Sequence, residues 1–272
     1  MNLSLTTDFQ GDTGCPEQSL RAIASGGFTH VHWCHHWNTD FLYGLAEIRQ
    51  IGRWFRGMGL KLLDLHGSAG YEKCWWSQRE YERLAGVDLV ANRIRMTEQL
   101  AGNSVVMHVP VLPDGAENIP DCDQLRRSLD ALAPVTRECG VPLALENMVH
   151  DNFRFLGKLL AEYGPDVVGI CYDCGHGNIG ARRGLDHMEA IKSRLLAVHL
   201  HDNDGAGDKH WVPFTGTVDA VRLARMLATS GYRGCISLES SVNNIPEANR
   251  GTFVADALRV AGRLAEMVAA AG

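Results

Sequence analysis

The chain reads as an α/β protein folded into one (β/α)8 TIM barrel, a single domain over residues 1–272. Three observations predict this. Short β-type runs alternate with longer amphipathic stretches, which calls for parallel strands joined by helical crossovers. Glycine or proline marks the passage from helix to strand at GGF (26–28), GMGL (57–60), CGVP (139–142), YGPD (163–166) and SGYRG (230–234). Eight such units in 272 residues suit a closed barrel better than a doubly wound sheet, and no GxGxxG follows the first strand.

The strands are expected at Leu3–Thr6, Thr29–Cys34, Lys61–His66, Ser104–Val109, Pro142–Asn147, Val167–Asp173, Leu195–His201 and Gly234–Glu239. The helices are expected at about 16–25, 40–58, 78–101, 122–139, 151–163, 184–193, 218–230 and 247–270. No linker or low-complexity segment divides the chain.

Composition narrows the function classes. Hydrophobic residues make up 45% and charged residues 21%, ordinary values for a globular protein. A net charge of −6 argues against a nucleic-acid partner, and the only dense basic cluster is RWFR at 53–56. No run of 18 apolar residues occurs, so no membrane span is expected, and MNLSLTTDF has no basic or apolar leader pattern. Eight scattered cysteines predict reduced thiols and a cytoplasmic protein. Cys171 and Cys174 form a CxxC with no second pair at zinc-finger spacing.

In such a barrel the active site is built at the C-terminal ends of the strands. Those ends are polar here. The third strand closes on Asp64 and His66, the fourth on His108, the fifth on Glu146 and Asn147. The sixth ends at Asp173 with His176 just beyond, the seventh at His199, His201 and Asp202, the eighth at Glu239. Carboxylates and imidazoles on strands buried on both faces are costly unless paired or metal-bound. Mixed Glu, Asp and His ligands suit a borderline divalent cation, Zn2+ or Mn2+. In the loop after the seventh strand, Asp208 and His210 are spaced to aim at one point from extended backbone.

These residues carry a resemblance. ALEN, CYDCGH, VHLHDND with the following D-K-H and G-x-x-D, and SLES resemble the metal-site motifs of the xylose isomerase-like TIM barrels. That superfamily holds sugar-phosphate isomerases and epimerases, ketose 3-epimerases, inosose dehydratases and endonuclease IV. The resemblance covers nearly the whole chain by strand order; its motifs are specific for the superfamily and not for the substrate. For the isomerase and epimerase branch it implies one divalent metal, Mn2+ or Zn2+, on Glu146, Asp173, His199 and Glu239. It also implies proton transfer by Glu146 and Glu239 through an enediolate, with His176 contacting a sugar or sugar phosphate. For the endonuclease branch it implies up to three Zn2+ on His66, His108, Glu146, Asp173, His176, His199, Asp208, His210 and Glu239. Dehydration of a cyclic polyol is the third chemistry it leaves open.

The densest histidine run, THVHWCHHW at 29–37, reads differently. Alternation puts His30, His32, Cys34 and His36 on one face of a strand and Trp33 and His35 on the other. It is expected to form substrate-facing wall, with His35, His36 and Trp37 nearest the ligand. His66, His108, His176, Asp208 and His210 complete the expected substrate-facing set. The apolar helix at 254–270 fits either a homo-oligomer interface or ordinary barrel packing.

Overall fold

In the computed structural model the eight repeats close into a barrel. The structure describes residues 1–11, 14–68, 70–112, 116, 118–149, 153–180, 183–244 and 247–272. The strands are β1 Leu3–Thr6, β2 His30–Trp33, β3 Lys61–His66, β4 Val105–Met107, β5 Leu143–Glu146, β6 Val168–Asp173, β7 Leu195–His199 and β8 Ile236–Leu238. They pair in parallel in the order β7-β6-β5-β4-β3-β2-β1-β8. A parallel bridge from Leu200 to Leu238 joins the two outermost strands, with Leu200 N–H to Ser237 O at 3.0 Å and Glu239 N–H to Leu200 O at 3.1 Å.

The helices are α1 Glu17–Ser25, α2 Leu45–Met58, α3 Glu80–Gln99, α4 Pro120–Cys139, α5 Phe153–Glu162, α6 Gly184–Ile191, α7 Ala220–Ser230 and α8 Phe253–Ala271. Every expected strand and helix is present, and the differences lie at the ends. α2 starts five residues later than expected because Glu47 Oε2 accepts from the Gly44 backbone N–H at 2.7 Å and fixes the first turn there. The stretch 247–252 forms a 3-10 turn ahead of α8. Residues 151 and 152, assigned from sequence to the fifth helix, lie outside the described residues. α2, α4 and α7 stop on Gly59, Gly140 and Gly231 with φ of 70°, 64° and 82°, the left-handed turn that admits glycine most readily. α7 begins where the Asp219 carboxylate accepts from the Arg222 backbone N–H at 3.0 Å.

The main core lies between the strands and the helical ring and includes Trp33, Phe55, Trp75, Phe155 and Phe253. Inside the barrel, Val106, Ala144, Cys171 and Ala197 form a separate small cluster. Alternation then dictates the next layer. Two residues along the same faces come His108, Glu146, Asp173 and His199, at the C-terminal ends of β4 to β7. The apolar floor and the polar mouth are thus consecutive rungs of the same strands.

Candidate metal centre

Glu146, Asp173, His199 and Glu239 each place a ligand atom in one group whose members all lie within 4.8 Å of one another. They come from the ends of four consecutive strands, β5 to β8. His199 Nδ1 lies 3.2 Å from Glu146 Oε1 and 3.1 Å from Glu239 Oε2. His66 Nε2 and His108 Nε2 approach the other Glu146 oxygen at 3.5 and 3.3 Å. Three carboxylates and an imidazole, nearly all buried, form a donor set that a divalent cation fits.

Burial opposes ionisation of Glu146, but His199 and His108 outweigh it and hold the carboxyl well below the usual carboxylate range. Burial likewise opposes ionisation of Glu239, and His199 and His210 bring that carboxyl down too. Both carboxylates therefore stay ionised at the base of the cavity, the state needed to hold a cation or accept a proton.

A second cluster sits beside the first. Asp208 Oδ2 lies 3.4 Å from His176 Nε2 and 3.0 Å from His210 Nε2. Burial pulls both imidazoles down, but Asp173 and Asp208 raise His176 to about 10, and Asp208 and Glu239 raise His210 to about 10. His210 Nδ1 donates to the Glu239 carbonyl at 2.6 Å, and its backbone holds φ 47°, a left-handed conformation that non-glycine residues rarely adopt. The loop after β7 is locked in place by the Asp202–Trp211 backbone pair.

A cavity of about 580 Å³ opens above these groups. Its lining includes Trp37, His66, His108, Glu146, His176, Asp208, His210 and Glu239, so eight residues expected at the site share one wall. The Trp37 ring stands 5.1 Å from that of His66 and 5.7 Å from that of His108. His35 and His36 lie elsewhere. They line a neighbouring cavity of about 270 Å³ with Asp8, Cys34 and Asn38, and among the described residues only Asp8, Gly11 and Trp37 face both spaces. The cause is local: β2 ends at Trp33 and the chain turns, with Trp37 N–H donating to Cys34 O at 3.0 Å and His36 at φ 61°. Strand alternation therefore stops short of the two histidines.

Several residues at the site carry no assigned role from the sequence, although His201 and Asn147 are read there as polar strand ends. His201 is fully buried, its Nε2 lies 3.1 Å from Asp173 Oδ2, and its ring stacks on His210 at 4.1 Å. The His-x-His spacing after Val198 was the signal, since it puts both rings on one face. Asn147 clamps Asp173 from behind: its Oδ1 accepts the Asp173 N–H at 2.8 Å and its Nδ2 donates to the Asp173 carbonyl at 2.9 Å. Thr6, Asp8, Met148, Ser240 and Ser241 also face the large cavity. Trp33 and Trp75 are fully buried in the main core, away from the mouth. All eight cysteines are free, and no described helix is long and apolar enough to cross a membrane.

A family model described as xylose isomerase-like TIM barrel matches residues 20–261. The chain belongs to that family. Among relatives of this xylose isomerase-like barrel, the uncharacterized protein y4fM of Sinorhizobium fredii is 29% identical over 279 residues, covering 93% of this chain and 89% of the relative. An uncharacterized protein of Mycobacterium tuberculosis is 41% identical over 194 residues, covering 62% of this chain and 67% of the relative. Solved structures share the fold. A D-tagatose 3-epimerase-like protein superposes with a TM-score of 0.77 at 19% identity, covering 100% of this chain and 98% of that one. The 3-keto-D-glucoside 4-epimerase of E. coli gives 0.74 at 18%, covering 97% and 99%. D-psicose 3-epimerase of Clostridium cellulolyticum H10, solved with D-tagatose, gives 0.73 at 17%, covering 100% and 99%.

Proposed function

We propose that this barrel is a divalent-metal-dependent sugar isomerase or epimerase. The observation that carries the reading is the meeting of Glu146, Asp173, His199 and Glu239 in one buried group beneath the 580 Å³ cavity. The superposition on sugar epimerases supports the same class of chemistry.

These four residues would hold the cation, Mn2+ or Zn2+. When bound, it supplies a Lewis acid that polarises the sugar carbonyl. The rest is work for the chain's own groups. Glu146 and Glu239 end different strands and both lie close to His199 Nδ1, so two ionised carboxylates would stand beside a sugar bound at this centre. One takes the proton next to the carbonyl and the other returns a proton to the neighbouring position or the opposite face. His176 and His210, held protonated beside Asp208, spend their N–H groups on Asn147 O, Glu239 O and Asp208 Oδ2, so they fix the Asp208 carboxylate at the cavity wall, where it would accept from a sugar hydroxyl. Trp37 and the segment Met148–Val149 supply apolar wall.

The test is solvent-proton exchange. Metal-loaded protein is incubated with free ketoses in D2O, and deuterium at the carbon next to the carbonyl is followed by NMR. Incorporation that disappears in Glu239→Gln is expected; full exchange in that variant would remove the assignment.

One observation favours a second reading. Beyond the four-residue group, His66 and His108 converge on Glu146, and His176 and His210 converge on Asp208. Those are three adjacent ligand groups, the arrangement a three-zinc endonuclease IV-like site would require. About three zinc ions per chain together with cleavage of abasic DNA would decide for it.

A further inference from the structure

The metal centre has a floor that the four-residue group does not use. β2 and β3 pair with a register shift between Val31 and His32, which sets His32 directly beside Asp64. His32 Nδ1–H donates to Asp64 Oδ1 at 2.7 Å, and both side chains are almost fully buried. A carboxylate only accepts, so this bond places a ring hydrogen on Nδ1 and leaves Nε2 as the nitrogen that would carry the lone pair toward a cation. That Nε2 is buried and has no hydrogen-bond partner. The His32 ring stands 4.4 Å from the His199 ring. One ligand atom each from His32, His199 and Glu239 lies within 4.8 Å of the others.

A buried imidazole nitrogen left without a partner costs the free energy of its lost hydration. Here the ring that carries it stands beside a second imidazole and a carboxylate. A carboxylate that orients a histidine whose other nitrogen faces a cation is the usual support behind a metal ligand. Two histidines and one glutamate make an open zinc set with a fourth position free. The upper group, with three carboxylates and one imidazole, suits a harder ion such as Mn2+.

We propose that His32, His199 and Glu239 form a second, lower cation position that overlaps the four-residue one and is selective for Zn2+. His32 is its distinguishing ligand and Asp64 its positioning residue. A single cation then takes one position or the other according to its softness. Mn2+ rests on the upper carboxylates, and Zn2+ drops toward His32. The inference rests on reading His199 and Glu239 as metal-facing and is independent of the sugar chemistry.

Calorimetric titration of chelator-treated protein with Zn2+ and with Mn2+ tests it. Zn2+ binds such sites more tightly than Mn2+ in general, so the readout is the change on substitution. Asp64→Asn is expected to weaken Zn2+ binding roughly 10- to 100-fold, and His32→Ala at least as much. Mn2+ affinity should be unchanged in both, which also shows that both variants fold. Equal losses for the two cations, or no loss for either, would overturn the lower position while leaving the four-residue site standing. Wild-type protein that binds neither cation would overturn the metal-centre reading and this inference with it.

Discussion

Glu146 and Glu239 are tied to one nitrogen: His199 Nδ1 stands 3.2 Å from the first carboxylate and 3.1 Å from the second. The two groups assigned to move protons therefore share one imidazole neighbour. Glu146→Gln and Glu239→Gln keep the shape and remove the charge. Each is expected to slow substrate proton exchange by about 10²- to 10⁴-fold. Circular dichroism should stay that of the wild type. Activity within a few-fold of wild type in either variant would contradict the assigned roles.

Asp208 holds two imidazoles through one oxygen. In Asp208→Asn both lose that counter-charge, so the midpoints of His176 and His210 are expected to fall from about 10 toward 6.5. Histidine NMR titrations read this directly. KM for the sugar should rise more than kcat falls, because Asp208 and the imidazoles that hold it form substrate-facing wall and do not move the reacting proton.

The pH dependence of the metal-free protein follows in sign. His176 and His210 are raised above their ordinary value of 6.5, so their contribution to stability is full below pH 6.5 and is lost as pH rises through about 10. Glu146 and Glu239 are lowered from 4.5, so theirs is full above pH 4.5 and is lost as pH falls below it. Thermal melts of chelator-treated protein should thus peak between pH 4.5 and 6.5. A Tm that stays level from pH 6.5 to 10 would count against the histidine cluster. Added Mn2+ should flatten the alkaline limb, since its binding strengthens as protons leave the ligands.

Trp37 faces both cavities and leans on His66 and His108. Trp37→Ala should raise KM about tenfold with little change in kcat or Tm, an effect of the size expected for one lost aromatic wall. An unchanged KM would place the substrate away from this ring.

Gly175, inside CYDCGH, sits under the His201 ring. A Cβ there would lie 1.9 Å from His201 Cε1. Gly175→Ala must push His201 off Asp173, so a stability loss of about 1–3 kcal/mol and weaker metal binding are expected. Differential scanning calorimetry and metal titration check the two together.

The parts of this site legible from sequence are those that a strand delivers by itself. Glu146, Asp173 and His199 each end an apolar β-run, and alternation alone puts them on the inner face. The parts that escaped depend on neighbours. His32 belongs to the floor because a register shift sets it against Asp64, a tertiary feature no spacing reveals. His35 and His36 left the main cavity because the chain turns at Cys34, two residues before the strand pattern would have shown it. His201 shares a face with His199, but only the folded loop brings His210 over its ring. The eight-fold alternation was visible throughout, since each element carries its own periodicity and most helix ends carry a glycine.

The central claim is that Glu146, Asp173, His199 and Glu239 bind one divalent cation. Asp173 tests it most cleanly, since no proton transfer is assigned to it and Asn147 holds its backbone in place. Mn2+ titration of chelator-treated protein should give one site per chain in the wild type and strongly weakened binding in Asp173→Asn with the fold intact. Mn2+ bound by Asp173→Asn with wild-type affinity and stoichiometry would contradict the claim.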